Sequence, residues 1–187
     1  MSIARTSLAS LLIITLGCAS VRTGRVMDPK VAGSDPDAQL EFWHSLTNQP
    51  ITTNDEALHG LLLYLDQKDD AADYAARLAA LKSRKVLPQS FNAPADAAVM
   101  RGDLAVAICN ALRIKGGLAM HLIGPTPRYA TRELMFLGLY PPSTPNQTFS
   151  GNEYVGIIGR VEDWQRGNPA NVPAAVLPNE MGTPSRE

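Results

Sequence analysis

Apolar residues recur at spacings of three and four over six stretches of this chain, and helix-start or helix-stop residues bound each stretch. Asp35-Pro36 reads as an N-cap with proline at the first helical position, and Leu40, Trp43 and Leu46 then share one face. Thr53 caps a second helix whose inward positions are Leu58, Leu61, Leu62 and Leu65. Asp69 or Asp70 begins a third, with Tyr74, Leu78 and Leu81 as its stripe. A fourth runs from about Arg101 to Leu112, before the stop signal Gly116-Gly117. Tyr129 to Leu137 is the fifth, ended by Gly138. Ser150 caps the sixth, which carries Tyr154, Ile157, Ile158 and Val161 ahead of Trp164. Met120 to Ile123 is too short to show a period and reads as an extended apolar piece. The predicted class is all-α.

The helix starts repeat. Thr53-Asn54-Asp55-Glu56, Met100-Arg101-Gly102-Asp103 and Ser150-Gly151-Asn152-Glu153 begin at positions 53, 100 and 150, and each places an acid three residues after the N-cap. A hydroxyl at the cap accepts from the N3 amide while the N3 carboxylate reaches back to the cap amide. Met100 has no hydroxyl, so the middle copy keeps only the favourable position of Asp103 near the positive end of the helix dipole. Leu81 with Lys85-Val86-Leu87-Pro88 falls in step with Leu134 and Gly138-Leu139-Tyr140-Pro141. Each unit is a helix, a turn with an apolar plug, a loop and a capped helix. One unit cannot bury both its helices, so three stacked units are expected.

The ends of the chain change the picture from fold to address. Arg5 precedes the apolar run Leu8 to Leu16, which is too short for a permanent membrane span and reads, over residues 1–17, as an export signal. It runs into Leu16-Gly17-Cys18-Ala19, which resembles a bacterial lipobox with Thr15 in the place usually held by leucine. The resemblance implies lipidation of Cys18 and a membrane anchor; Ala19 in second place leans towards an outer membrane, facing the periplasm. The other reading is ordinary cleavage after Ala19. Residues 18–34 are aperiodic and read as a flexible tether, and residues 166–187, rich in Pro, Gly and Asn, as a disordered tail. The remaining span, 35–165, is the size of one compact domain.

Composition excludes more than it assigns. A net charge of −1 gives no electrostatic case for nucleic acid. Once Cys18 is consumed, Cys109 stands alone in an apolar helix and reads as a small buried residue. No spacing suits a metal, and no cofactor motif is present.

The three helix starts, together with Phe91-Asn92-Ala93-Pro94 and the two leucine-to-proline turns, resemble S-layer homology (SLH) repeats. The resemblance covers residues 35–165 and implies three stacked helix-turn-loop-helix repeats in a pseudo-threefold bundle that binds cell-envelope polysaccharide. It implies a ligand-binding role for Arg101, Asp103, Glu56 and Glu153. The family's motif arginine is present only at Arg101, with Asn54 and Gly151 in its place elsewhere, so at most one ordinary groove is expected.

The expected function is therefore non-catalytic binding to an envelope polysaccharide or an envelope protein. The rival readings are a protein–protein adaptor on the same scaffold, or a small glycan or peptidoglycan hydrolase using Glu56 and His59, three apart on one helix. Trp43 and His44 could line a sugar site but read more simply as core and boundary residues. Arg128 and Arg132, four apart, could cradle an anion or form an ordinary charged surface.

Overall fold

A computed structural model describes residues 21–25, 27–28, 31–32 and 35–168. The export signal, Cys18 and the tail beyond residue 168 lie outside the described residues. Among the described residues seven helices follow one another: α1 (Pro36–Thr47), α2 (Asn54–Asp66), α3 (Tyr74–Ser83), α4 (Arg101–Ala111), α5 (Leu118–Ile123), α6 (Pro127–Phe136) and α7 (Gly151–Gly167). Among the described residues there is no strand, only three isolated antiparallel bridges.

The caps form for the reasons the sequence gives. Thr53 and Ser150 each close a full capping box with Glu56 and Glu153. Asp35 accepts from Ala38 N–H at the start of α1, and Asp73, rather than Asp69 or Asp70, caps α3. Met100 contributes no side-chain cap to α4. Leu81 and Leu134 are fully buried and end their helices alike. Val86 and Leu87 N–H donate to Leu81 O at 2.9 and 3.2 Å, and Leu139 and Tyr140 N–H donate to Leu134 O at 2.8 and 3.1 Å. Lys85 and Gly138 supply the left-handed residue in these two turns, at φ 60° and 74°.

The helices pack mainly in three pairs: α2 with α3, α4 with α6, and α7 with α1. The capped helix starts are tied together through their backbones. Asn54 and Asp55 N–H donate to Ala97 O and Ala95 O, and Arg101 and Gly102 N–H donate to Gln147 O and Pro145 O. Gly151 N–H donates to Gln49 O, Val99 N–H to Thr52 O, and Thr52 N–H to Phe149 O. The segment before each of α2, α4 and α7 is thus held by the start of another of the three.

One core spans α1, α4, α6 and α7, with Phe42, Leu46, Ile108, Leu134, Phe149 and Tyr154 among its buried members. A second lies between α2, α3 and the Val86-Leu87 turn. Tyr154 is wholly buried and its hydroxyl donates to Ala57 O at 2.7 Å, joining α7 to α2. Tyr154→Phe keeps the ring and loses this bond, so a fall of about 1 kcal/mol in unfolding free energy is expected from urea denaturation.

Three local expectations are corrected. In α1 the buried face is Ala38, Phe42 and Leu46, while Leu40 is exposed and Trp43 half-buried. Phe42 lies one position round from the predicted stripe, and its larger ring faces His59 instead of solvent. Met120 to Ile123 is helical, because Gly117 and Gly124 bound a short turn that Met120 anchors in the core. α7 continues to Gly167 through Arg166, whose pairs with Glu162 and Asp163 support its last turn.

Candidate functional site

The three N3 acids, Glu56, Asp103 and Glu153, sit at the starts of α2, α4 and α7, and each has a different fate. Glu153 Oε2 accepts from Ser150 N–H at 2.9 Å, and its Oε1 accepts from Arg101 Nη2 at 2.6 Å. The Ser150 amide, with help from Arg101, outweighs partial burial and holds the Glu153 carboxyl below its ordinary pKa. Arg101 is itself buried. Its Nε donates to Thr148 O at 3.0 Å and its Nη1 to Ser143 Oγ at 2.8 Å, and the guanidinium lies 4.8 Å from the centre of the Phe149 ring. The predicted ligand contact therefore spends its planar fork on protein groups.

Glu56 carries a second clamp of the same kind, made by a residue the sequence reading missed. Arg25 donates from Nη2 to Glu56 Oε2 at 2.7 Å, from Nη1 to Gln49 Oε1 at 2.8 Å, and from Nη2 to Ile51 O at 2.8 Å. Ile51 and Thr148 each stand two residues before a helix N-cap, so the two arginines use corresponding carbonyls. Gly151 has no side chain to fill this position, and Arg25 does so from the segment assigned to the tether. Arg22, in the same segment, pairs with Asp96 at 2.6 Å. Residues 21–25 are thus part of the fold rather than a free tether. No local signal marked them, since Arg25 and Glu56 are 31 residues apart.

Arg25→Ala leaves the Glu56 carboxylate mostly buried without its cation, and should lower stability by about 1–3 kcal/mol in chemical denaturation. Arg22→Ala, which breaks an exposed pair, should have a much smaller effect.

Asp103 has neither a clamp nor a capping bond among the described residues. Burial alone pushes its carboxyl above the ordinary value. It lines an open cleft of about 310 Å³ with Phe91, Asn92, Val106, Pro125 and Pro127. Asn54, which stands at the position equivalent to Arg101, turns its amide to Pro94 O and Ala97 O at 2.9 and 3.0 Å. Of the four predicted ligand residues, Arg101 and Glu153 meet each other, Glu56 is closed over by Arg25, and Asp103 faces the cleft.

His59 and Glu56 do not form an acid–base pair. His59 is wholly buried with its Nδ1 2.6 Å from Asp69 Oδ2, and the Phe42 ring stands perpendicular to it with ring centres 4.5 Å apart. Asp69 also accepts from Arg77 Nε, and Arg77 Nη1 donates to Asp55 Oδ1 at 2.7 Å. Burial would raise the Asp69 pKa, but hydrogen bonds from His59, Arg77 and Ala71 N–H outweigh it and keep the carboxyl below its usual value. An ionised Asp69 only accepts, so the Nδ1 proton of His59 points at it. Among the described residues, His59 Nε2 is buried without a partner.

This network joins α2 to α3 and keeps His59 fully buried. Its sequence signal was present: Arg77 shares a face with Tyr74 and Leu81, an unusual place for a lone cation. Cys109 is buried as expected, with its thiol raised to about 12 chiefly by burial. Among the described residues no group of His, Cys, Asp and Glu could hold a metal ion, and no helix is long and apolar enough to cross a membrane.

Compared with protein-family models, with curated proteins and with solved structures, the chain finds no match.

Proposed function

We propose that this chain is an exported, non-catalytic binding module of the cell envelope, built as three degenerate SLH-like repeats and anchored in a membrane, the outer one where two exist, by lipid on Cys18. In this reading the repeats are α1 with α2, α3 with α4, and α6 with α7, stacked around a pseudo-threefold axis so that α2 packs on α3, α4 on α6 and α7 on α1 across their seams. Its ligand is an envelope polysaccharide.

One observation carries the reading. The pair of bonds from Asn54 and Asp55 to Ala97 and Ala95 recurs, residue for residue, from Arg101 and Gly102 to Gln147 and Pro145. A repeated sequence signature alone has a capping explanation. A repeated contact between consecutive signatures is what one module used over again would make. The arginine clamps lock the seams between modules, leaving the Asp103 cleft as the place where a sugar hydroxyl can meet an unclaimed carboxylate between apolar walls. The hydrolase reading loses support because Glu56 and His59 serve separate partners.

Co-sedimentation of the purified chain with isolated envelope polysaccharide tests the proposal. Wild type should pellet with the polymer, Asp103→Asn should reduce retention at least about tenfold with unchanged melting, and Phe91→Ala should reduce it as much with a modest loss of stability, because Phe91 also packs on the second core. Equal retention of all three would exclude the cleft. Failure of wild type would favour the adaptor reading. Incorporation of a fatty-acid analogue, abolished by Cys18→Ser, tests the anchor.

A further inference from the structure

α5 is a short helix between Gly117 and Gly124, and only Met120 on it is buried. Leu118 is 75% exposed, Leu122 72% and Ile123 64%. Exposures that high require side chains that project from the surface. Leu118 and Leu122 are one turn apart and share a face, and Ile123 extends it. Folding gains little from presenting three large aliphatic groups to water on six residues, so the patch calls for a partner.

The charges around the patch say which kind. From Ala111 to Arg132 the chain carries Arg113, Lys115, Arg128 and Arg132 and no acidic residue, in a chain whose net charge is −1. All four cations are exposed. Two precede α5 and two follow on α6, which α5 contacts. On α6, Arg128, Arg132 and the 84%-exposed Phe136 recur every four residues and so lie on one face. The nearest acid, Glu133, is turned to the Gly117 N–H at 3.2 Å, where it fixes the base of α5.

We propose that α5 and its basic surround dock on an anionic lipid surface. Leu118, Leu122 and Ile123 enter the boundary between headgroups and acyl chains, and Arg113, Lys115, Arg128 and Arg132 meet the lipid phosphates. Projecting aliphatic side chains flanked by long cationic stems suit a fluid interface, which needs no matching cavity. A protein partner would have to supply such a cavity, and Leu118, Leu122 and Ile123 carry no hydrogen-bonding group to fix its register, while the exposed His121 beside them meets water or headgroups equally well. The surface acts independently of Cys18, and lipid there would be a separate attachment to the same bilayer.

The test uses the chain from Ala19 onward, so that neither the apolar run Leu8 to Leu16 nor lipid on Cys18 contributes, and vesicles of phosphatidylcholine with about one quarter phosphatidylglycerol. Vesicle co-sedimentation at low salt should show binding that weakens with added salt and is several-fold lower on pure phosphatidylcholine. Leu118→Ser combined with Leu122→Ser should reduce partitioning about tenfold or more, and Arg128→Gln with Arg132→Gln should reduce it and flatten the salt dependence. These side chains are exposed, so melting by circular dichroism should be unchanged in both variants.

Absence of vesicle binding would overturn the proposal, as would equal binding by wild type and the leucine variant. If the leucine variant changes only the oligomeric state in size-exclusion chromatography, the patch joins two copies of this chain and the lipid proposal fails. None of these outcomes depends on polysaccharide retention, which tests the Asp103 cleft alone.

Discussion

Gly151→Ala should destabilise the protein by at least about 3 kcal/mol, lowering the melting temperature by roughly 10 °C in a domain of this size. A Cβ at Gly151 would stand 1.6 Å from Leu46 O and 2.6 Å from Leu46 C, inside any physical contact distance. These are backbone atoms of α1, so no rotamer change relieves the overlap, and α1 must move away from α7. That movement also strains the Gly151 N–H bond to Gln49 O and the packing of Leu46. The comparison is Gly159→Ala in the same helix, where a Cβ meets nothing within 4 Å. There the gain in helix propensity should raise stability by about 0.5–1 kcal/mol. Calorimetry of the two variants separates close approach from helix propensity, and similar small effects from both would refute this packing of α1.

Arg77→Met is expected to cost about 3–5 kcal/mol, because it removes the one cation that Asp69 and Asp55 share and leaves the Asp69 carboxylate buried. Arg77→Lys should not restore it: the arginine uses Nε and Nη1 towards two different carboxylates, and a single ammonium does not span that fork. This network and the Arg101–Glu153 clamp together set an acid limit. Asp69 and Glu153 are held below their ordinary values in the fold, so both contribute stability above the unfolded pKa near 4 that is lost as pH falls through the folded values. Urea midpoints should therefore drop below about pH 4, with a shallower drop in Glu153→Gln. A midpoint independent of pH down to 3 would contradict the assigned pairings.

What the sequence made legible follows from the range of each interaction. Capping boxes at Thr53 and Ser150 act over three residues, so a local pattern suffices to read them. Six of the helices rest on apolar periodicity and appear within a few residues of their expected limits. α5 was missed because a six-residue helix held by one methionine has no period to detect. Leu40 and Phe42 in α1 exchanged roles because both are apolar, and the choice between them depends on His59, which belongs to another helix.

The site was less legible for the same reason. Arg101 was found from its place in a motif, but its partners, Glu153, Thr148 and Ser143, lie more than forty residues away. Arg25 occupies an aperiodic stretch, and only the missing side chain at Gly151 explains why it is needed. Asp69 offered a local role as a cap, and that role hid its longer-range one.

The docking of α1 on α7 has a consequence for how the protein is made. The first helix emerges from the ribosome long before the last and has its main partner at the far end of the chain. Until residues near Val161 are synthesised, the side chains of Phe42 and Leu46 lack much of their native cover. Final closure is thus a long-range event, and a chain that stalls early presents a sticky leading segment to whatever chaperone meets it.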